Sequence, residues 1–445
     1  MTKEGPYGLA ELPDPLPIQP IQHRIDAVVG VPGSKSITNR ALVCAALAHG
    51  TSTIVRVLDS DDTTAMILGL SGAGLDLEVR RGSDDPGTAV LHGVGGAIPP
   101  PRHVIDVRQS GTTARFLLPL LALGTAPYEV TAHPQMQERP MGETFAALRA
   151  LGAQIDDHGR PGHLPATVRG PATGDRLAMA GDVSSQFLSG LLLLGPCLPD
   201  GLTISLTTPL VSRPYVELTI SVMEAFGAIV RRPDGRTFRV EPTGYHPTVY
   251  AVEPDASAAS YPLAAAVLTG GRVEVDGLGN GALQGDAAFA DVLAAMGAHV
   301  ERTRHGITVE APSDGVLRGG TFDFTHISDT AQTLAVLAPF ADAPVTITGI
   351  GFIRRKEIDR IAAVATELRR AGVRVDDDPD GWTIHPGPVA PTTFQTYDDH
   401  RMAMSFALIG LKVPGIAIAG PACVAKTFPG YWDMLEALRT ADHGR

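Results

Sequence analysis

Apolar and polar positions along the chain follow two alternating periods, and the alternation recurs. Stretches with apolar residues at helical spacing each end in a glycine, and a short segment of period-2 alternation follows. A glycine after the last helical turn suits the left-handed conformation that closes a helix, and period-2 alternation is typical of a half-buried strand. The glycines that end these helices lie 70 to 78 residues apart, at Gly74, Gly152, Gly227, Gly297 and Gly372. A truncated sixth copy occupies 431–439.

Each repeat is long enough for two helices and several strands, but it cannot bury its apolar helix faces alone. We therefore predict an α/β (α+β) protein of six helix-to-strand units that pack three to a domain. A length of 445 residues also exceeds what one hydrophobic core supports, which favours two domains. Segments rich in Gly, Pro and Asp predict hairpin turns at 80–87, 156–162, 233–236 and 376–381.

Charge and cysteine content narrow the class of protein. The formal net charge of −12 disfavours a nucleic-acid partner. Apolar runs are broken well before the ~20 residues of a membrane span, and the first residues lack an apolar signal core, so we expect a cytoplasmic protein with no membrane partner. Cys44, Cys197 and Cys423 are far apart, which indicates buried thiols rather than a disulfide or zinc set. The 14 histidines suggest no ligand array, so we expect neither a metal nor a cofactor.

The most informative motif, Pro-Gly-Ser-Lys-Ser-Ile-Thr-Asn-Arg, lies at 32–40 before an apolar helix. Small residues, hydroxyls and free N–H groups at the start of a helix favour an anion, and Lys35 and Arg40 add positive charge. It is not a P-loop, because Ser34 separates Gly33 from Lys35. An ordinary loop-to-helix junction explains this motif by itself equally well.

Comparable polar segments precede other apolar helices. Segment 106–115 places a glycine and two threonines ahead of Arg115, and 182–186 carries more polar side chains than one helix cap needs. Arg139 directly precedes a proline that we expect to start a helix, and Ser212 is separated from the next proline by one residue. Helix capping is the simpler explanation for 106–115, and a solvated surface position for a lone arginine, whereas Ser185 and Gln186 exceed what a cap needs and suggest a ligand.

The second half of the chain concentrates charge in two segments. Segment 354–360 is dense in both signs, and 398–404 inserts a His-Arg pair before an apolar helix. Such runs usually form solvated helix faces, but Ile358 and Met402 lie within or beside them, so we expect these charges to converge on a cleft. Asp329 is either a helix cap or a carboxylate aimed at a substrate hydroxyl.

Taken in order, these segments resemble the 5-enolpyruvylshikimate-3-phosphate synthases, the enolpyruvyl transferases of the shikimate pathway. The motifs that carry the resemblance are GSKSITNRAL at 33–42, SGTTAR at 110–115, ERPM at 138–141, SSQF at 184–187, SRPY at 212–215, DTA at 329–331, KEIDR at 356–360, DHRMAM at 399–404 and KTFP at 426–429. The resemblance implies two similar domains, each of three βαβαββ units, in an inside-out barrel architecture. It places 1–32 and 253–445 in a C-terminal-type domain and 33–252 in an N-terminal-type domain, with the active site in the cleft between them.

The resemblance also implies a reaction. The enolpyruvyl group of phosphoenolpyruvate moves to the 5-hydroxyl of shikimate 3-phosphate and phosphate leaves, a step towards chorismate and the aromatic amino acids that glyphosate inhibits. The scheme requires no metal, and we expect a monomer. Asp329 is the implied base for the hydroxyl, Glu357 and Lys35 the implied proton-transfer pair, and His400 lies near the leaving group.

Substrate-binding residues are implied position by position. Those for shikimate 3-phosphate are Ser36, Arg40, Ser184, Ser185, Gln186, Ser212, Tyr215 and Lys356. Those for phosphoenolpyruvate are Lys35, Gly111, Thr112, Arg139, Gln186, Arg360, Arg401 and Lys426.

The chain departs from the family pattern at three places. Gln109-Ser110 replaces the usual Asn-Ala before Gly111, and we hypothesise that it narrows the phosphoenolpyruvate pocket and lowers affinity for glyphosate. Ile358 replaces the usual Thr or Ser, and Phe352 occupies a position that is a polar substrate contact in some members, which leaves open a relative that uses another cyclic alcohol as acceptor. Two further functions stay open, those of a UDP-N-acetylglucosamine enolpyruvyl transferase, which commonly carries a loop cysteine, and of a non-catalytic ligand-binding scaffold.

Overall fold

The computed structural model describes residues 11–82 and 85–441. Contacts within the chain divide it into two compact units. The middle unit comprises Gly33–Val252, and the terminal unit comprises Met1–Pro32 and Glu253–Arg445. Each unit has a hydrophobic core of its own.

The strands of the described residues are β1 (Leu16–Pro17), β2 (Asp26–Val29), β3 (His49–Val55), β4 (Asp76–Gly82), β5 (Asp85–Val94), β6 (Ile105–Asp106), β7 (Tyr128–Thr131), β8 (Gln154–Asp157), β9 (Ala166–Arg169), β10 (Arg176–Met179), β11 (Leu202–Leu206), β12 (Val230–Arg231), β13 (Thr237–Val240), β14 (Val249–Ala251), β15 (Arg272–Asp276), β16 (His299–Arg302), β17 (Gly306–Glu310), β18 (Gly320–Asp323), β19 (Val345–Thr348), β20 (Val375–Asp378), β21 (Gly381–Ile384), β22 (Thr393–Gln395) and β23 (Ala417–Ala419). The α-helices of the same residues are α1 (Lys35–Leu47), α2 (Asp61–Gly72), α3 (Gly111–Leu121), α4 (Pro134–Gln137), α5 (Gly142–Ala150), α6 (Ser185–Leu194), α7 (Arg213–Ala225), α8 (Ala256–Thr269), α9 (Phe289–Ala295), α10 (Ala331–Leu337), α11 (Arg360–Arg370), α12 (His400–Gly410) and α13 (Tyr431–Thr440). None of these helices combines the length and the hydrophobicity needed to cross a membrane.

The strands form small mixed sheets that repeat one topology. In the repeat of β6 to β9, β6 pairs parallel with β7, and β7 pairs antiparallel with β9 of the β8–β9 hairpin. The sheet orders in the middle unit are β14-β3-β5-β4, β6-β7-β9-β8 and β10-β11-β13-β12. Those in the terminal unit are β16-β17-β15-β2, β18-β19-β21-β20 and β1-β23-β22, the last completed by a strand from the start of the chain. The predicted α/β class with three βαβαββ repeats in each half of the protein is thereby confirmed.

The glycines and turns that separate the elements of the repeats follow the prediction in most places. All five repeat glycines adopt positive φ angles, between +84° and +100°. The connections 158–165 and 232–236 overlap the predicted hairpin turns. The prediction for 376–381 is wrong at its ends, because β20 runs to residue 378 and β21 begins at 381, which leaves a two-residue turn. The turn predicted at 80–87 contains residues 83 and 84, which lie outside the described residues.

The three cysteines are free thiols. Cys44 is buried on α1, as predicted, whereas Cys197 and Cys423 are only half-buried, so the prediction of burial is wrong for these two.

Two kinds of helix alternate in the repeats, and they differ in burial. In each parallel pair, one strand (β2, β6, β10, β14, β18 or β22) lies at the edge of its sheet and is counted as the first strand. The helix that follows this strand is buried on nearly every side, as α3 and α10 are throughout their length. The helix that follows the second strand is amphipathic, with one polar face, as in α11. Because the carboxyl ends of parallel strands lie at one edge of a sheet, the starts of the buried helices and the loops after the second strands are neighbours there.

Candidate active site

The motif at 32–40 forms the start of α1. Ser34 is the N-cap residue, and its hydroxyl accepts a hydrogen bond from the N–H of Ile37. Lys35 begins the helix, and its Nζ lies 3.4 Å from Oδ2 of Asp62, a carboxylate that is almost fully buried in the first turn of α2. No pattern in the sequence pointed to this partner. An ion pair therefore holds Lys35 at the helix start.

Arg40 lies one turn further along α1 and is buried. Its guanidinium donates to the hydroxyl of Thr219 (2.7 Å) and to the carbonyl oxygens of Ser36 (2.8 Å) and Tyr215 (3.2 Å), all uncharged groups, and it lies over the ring of Phe116. Burial lowers the pKa of Arg40 to about 10. A phosphate at this position would compensate the desolvation of the cation, which supports the anion interpretation of the motif.

Two guanidinium groups flank Gly111, the first residue of α3. A Cβ at residue 111 would lie 2.7 Å from Nη1 of Arg115 and 2.7 Å from Nη1 of Arg139. The Nη1 atoms of Arg115 and Arg139 are therefore separated by no more than twice 2.7 Å. Both arginines are buried, and no side chain larger than hydrogen fits at residue 111 without moving them.

Gln186 is oriented by its neighbours. Its Oε1 accepts from Nη1 of Arg115 (2.8 Å), and its Nε2 donates to the hydroxyl of Thr112 (3.2 Å). Arg115 in turn lies over the ring of Phe187. The contacts hold the amide with its donor end towards the start of α3, so Gln186, Thr112 and Gly111 form one cluster.

The remaining candidates of the middle unit lie at helix starts. Ser184 is the N-cap of α6, where its hydroxyl accepts from the N–H of Gln186, and Ser185 is buried at the first helical position. Ser212 precedes α7 with φ +51° and ψ +42°, a left-handed conformation that is unusual for a non-glycine residue. Its carbonyl oxygen accepts from the N–H of Tyr215. Strained conformations of this kind concentrate at functional sites.

In the terminal unit, Asp329 is surrounded by cations. Its Oδ2 accepts from Nη2 of Arg401 at 2.8 Å, and Nη1 of Arg401 also reaches the backbone oxygen of Asp329. Its Oδ1 lies 3.5 Å from Nη1 of Arg360 and 3.7 Å from Nζ of Lys356. Asp329 lies inside the 3₁₀ helix Ser328–Thr330 rather than at its N-cap position, and Thr330 is the N-cap of α10, so the interpretation of Asp329 as a helix cap is wrong.

Arg360 links the cluster to α12. Its Nε donates to Oδ2 of Asp399 at 2.7 Å and its Nη2 to Oε2 of Glu357 at 2.7 Å. Burial by itself lowers the pKa of Arg360, but the carboxylates of Asp399, Glu357 and Asp329 outweigh that effect and the net shift is upward. Asp399 is fully buried and also caps α12 by accepting from the N–H of Arg401.

Two more candidates complete the terminal unit. His400 is buried, with Nδ1 3.6 Å from Oδ1 of Asp399. Lys426 is buried at the end of the 3₁₀ helix Pro421–Lys426, which packs against α12. The charged segments of the second half meet in one cluster of Asp329, Lys356, Glu357, Arg360 and Arg401, and the cleft on which they are expected to converge stays a prediction.

Sequence reasoning missed or misplaced several features. Asp399 was not among the predicted site residues, although its position before an apolar helix marked it as an N-cap. The proline after Arg139 does not start a helix, because α5 begins two residues later. Phe352 and Ile358 pack against the core of the terminal unit, which accounts for their apolar character.

The fold is shared with solved enolpyruvyl transferases. EPSP synthase from Acinetobacter baumannii superposes with a TM-score of 0.78 at 25% identity, covering 94% of this chain and 97% of that one. The enolpyruvyl transferase NikO from Streptomyces tendae superposes with a TM-score of 0.74 at 19% identity, covering 96% and 98%. The fold is thus that of the enolpyruvyl transferases.

Sequence comparison defines the family. The model of EPSP synthase (3-phosphoshikimate 1-carboxyvinyltransferase) matches residues 20–435. The 3-phosphoshikimate 1-carboxyvinyltransferase of Nostoc punctiforme is 42% identical, covering 94% of this chain and 98% of the relative. That of Serratia proteamaculans is 42% identical over 96% and 99%. The chain belongs to the EPSP synthase family.

Proposed function

We propose that this chain transfers the enolpyruvyl group of phosphoenolpyruvate to the 5-hydroxyl of shikimate 3-phosphate and releases phosphate. The observation that carries the proposal is the cluster around Asp329, in which one carboxylate lies among three cations beside a second carboxylate, Glu357. Addition of an alcohol to an enol phosphate needs a base for the hydroxyl and an acid for the methylene carbon. It also needs cations for phosphate and carboxylate groups.

The proposed roles follow the geometry within each unit. Asp329 takes the proton of the 5-hydroxyl as its oxygen attacks C2 of phosphoenolpyruvate. Glu357 and Lys35 deliver a proton to the methylene carbon, giving a tetrahedral intermediate with a methyl group. Glu357 and Lys35 then take back a methyl proton as phosphate departs beside His400, which forms the enol ether of the product.

Anion binding divides between two sets of residues in the proposal. Shikimate 3-phosphate is held by the residues around Arg40 and by Lys356, namely Ser36, Arg40, Ser184, Ser185, Gln186, Ser212, Tyr215 and Lys356. Phosphoenolpyruvate is held by the flanks of Gly111 and by the buried cations of the terminal unit, namely Lys35, Gly111, Thr112, Arg139, Gln186, Arg360, Arg401 and Lys426. The proposal also includes a site in the cleft between the domain of 33–252 and the domain of 1–32 and 253–445, so that residues of both units serve the same two substrates. A monomeric state and a cytoplasmic location are further parts of the proposal.

The test measures phosphate release from phosphoenolpyruvate with one acceptor at a time, with the product identified by mass. Shikimate 3-phosphate, shikimate and UDP-N-acetylglucosamine are compared with a reaction that lacks acceptor. We expect release only with shikimate 3-phosphate, and a kcat about 10²- to 10⁴-fold lower in Asp329→Asn because the general base is lost.

The matched control is Asp342→Asn. Asp342 is an exposed carboxylate of the same unit that binds Arg318 and the N–H of Gly319. Its variant should retain wild-type kcat within twofold. Release that depends on a different acceptor, or an Asp329→Asn variant as active as the control, would contradict the assignment.

A further inference from the structure

The segment that carries Lys356 and Glu357 is a short irregular loop whose shape depends on contacts outside the site. Loop 349–359 follows β19, contains the 3₁₀ helix Gly351–Arg355 and ends at Asp359, the N-cap of α11. Without regular backbone pairing of its own, such a loop needs other partners to hold one conformation.

The turn between β20 and β21 supplies the first set of partners. Oδ2 of Asp380 accepts from the N–H of Gly349 at 2.9 Å, and Oδ1 accepts from the N–H of Gly351 at 2.8 Å. The N–H of Ile350 donates to the backbone oxygen of Asp380 at 3.1 Å. One residue of the turn thereby holds three successive amides at the start of the loop.

Arg354 supplies the second set. Its Nε donates to the backbone oxygen of Pro379 (3.1 Å) and its Nη2 to that of Asp378 (2.6 Å). Its Nη1 donates to the carboxylate of Asp359, 2.9 Å from Oδ2. One planar guanidinium therefore links residues 354 and 359, the two ends of this stretch of the loop, to the turn. A lysine cannot reproduce this fork geometry.

The neighbouring loop is fixed to the same place. Gly349 has φ +75°, and a Cβ there would lie 2.1 Å from Oγ1 of Thr325 and 2.5 Å from Oδ1 of Asp323. Oδ1 of Asp323 accepts from the N–H of Thr325 at 2.8 Å, four residues before Asp329. The loops that carry Asp329 and Glu357 thus meet at Gly349, the residue whose N–H donates to Asp380.

We propose that Arg354 and Asp380 form a clamp that positions Lys356 and Glu357. They are positioning residues, because Asp380 contacts the backbone of the loop, Arg354 contacts the hairpin and the carboxylate of Asp359, and their hydrogen bonds do not go to the cluster itself. The inference rests on the proposed function, which gives Lys356 and Glu357 their roles. Arg360 would lose its bond to Glu357 but keep its two hydrogen bonds to Asp399, so loosening the clamp should spare the binding of phosphoenolpyruvate.

The kinetic test uses Asp380→Ala, Asp380→Asn, Arg354→Met and Arg354→Lys. We expect Asp380→Ala and Arg354→Met to lower kcat about 10- to 100-fold and to raise the KM for shikimate 3-phosphate, with the KM for phosphoenolpyruvate within twofold of wild type. Asp380→Asn keeps one acceptor and should be intermediate, whereas Arg354→Lys should behave like Arg354→Met. Equal increases in both KM values, or wild-type kinetics in Asp380→Ala and Arg354→Met, would overturn the clamp.

Asp376→Asn is the matched control. Asp376 lies on the same hairpin, but its carboxylate binds His385 and Arg374 instead of the loop. We expect its kinetic constants to stay within twofold of wild type. A loss as large as that in Asp380→Ala would mean that any weakening of the hairpin has this effect, and would overturn the specific role of Asp380.

Amide hydrogen exchange on the unligated protein separates this inference from the proposed function. In Asp380→Ala, the amides of residues 349–351 should exchange at least tenfold faster than in wild type, whatever reaction the protein catalyses. If wild type proves inactive with shikimate 3-phosphate, the proposed function fails while faster exchange still supports the clamp. Unchanged exchange overturns the clamp, and faster exchange with unchanged kinetics in an active enzyme overturns its positioning role.

Discussion

Gly111→Ala should impair the binding of phosphoenolpyruvate without harming the fold. The added Cβ would lie 2.7 Å from nitrogen atoms of both Arg115 and Arg139, whereas ordinary contact begins at 3.4 Å. Each guanidinium group must therefore retreat by about 0.7 Å, the difference between these two distances. Both groups end long side chains that can move, so the cost should fall on the ligand rather than on folding.

The size of the effect follows from the hydrogen bonds at risk. Two bonds to the charged substrate are at risk, that of Arg139 and that of Gln186, which Arg115 orients. A hydrogen bond to a charged group is worth about 1.5–3 kcal/mol, and two such bonds that each lose about half of that value cost about 1.5–3 kcal/mol together. Since 1.4 kcal/mol is about tenfold in affinity, the KM for phosphoenolpyruvate should rise about 10- to 100-fold. The KM for shikimate 3-phosphate should change far less, because the hydrogen bonds of Arg40 go to Thr219, Ser36 and Tyr215 and not to the arginines beside Gly111.

Steady-state kinetics with each substrate varied in turn, together with urea denaturation, would measure this split. Gly159→Ala is the control, because no atom of the described residues lies within 4 Å of its added methyl group. An unchanged KM for phosphoenolpyruvate in an otherwise active Gly111→Ala variant would refute the reasoning, since Arg139 and the Gln186 that Arg115 orients could then not be what holds that substrate. A large loss of stability would show that the contact matters for folding instead.

Three further outcomes are expected. Asp399→Asn should destabilise the protein by about 3 kcal/mol, because it removes the buried charge that Arg360 pairs with, and a urea midpoint equal to that of wild type would contradict this. Gln109→Asn combined with Ser110→Ala should strengthen inhibition by glyphosate if these residues narrow the pocket, and an unchanged inhibition constant would discard the hypothesis. Arg40→Met should raise the KM for shikimate 3-phosphate at least tenfold while the KM for phosphoenolpyruvate stays within twofold, so equal changes in both would argue against a phosphate at Arg40.

Local signals in the sequence were sufficient for the repeats and for several helix starts, although not for the one predicted after Arg139. A glycine such as Gly297 marks the end of a helix because few other residues adopt a positive φ, and this requirement can be recognised without tertiary information. Ser34, Ser184 and Asp399 are caps for an equally local reason, since each accepts from an N–H within three residues of itself.

The pairings that give the site its chemistry lie beyond such signals. Arg115 and Gln186 are 71 residues apart in sequence, and Asp329 and Arg401 are 72 apart. The sequence of either segment does not indicate which polar or charged side chains will pair, because the pairing depends on how the repeats pack. Family resemblance supplied most members of these pairs, but not the buried Asp62 beside Lys35, which the structure alone reveals.

The repeated fold explains why the candidate residues recur at the same structural position. Each buried helix starts at the carboxyl end of a parallel strand pair and offers free N–H groups with a partial positive charge. Five of these helices, α1, α3, α6, α10 and α12, carry candidate residues at or just before their starts. The sixth, α8, has two of its first N–H groups satisfied by side chains, because its N-cap Asp255 accepts from the N–H of Ala258 (2.9 Å) and Oε1 of Gln284 accepts from that of Ala256 (3.1 Å). Gln284 also donates to the backbone oxygen of Pro254 (2.6 Å), which fixes its orientation. One fold thus repeats a position suited to anions, and the sequence at each copy decides whether that position stays available to a ligand or is satisfied from within.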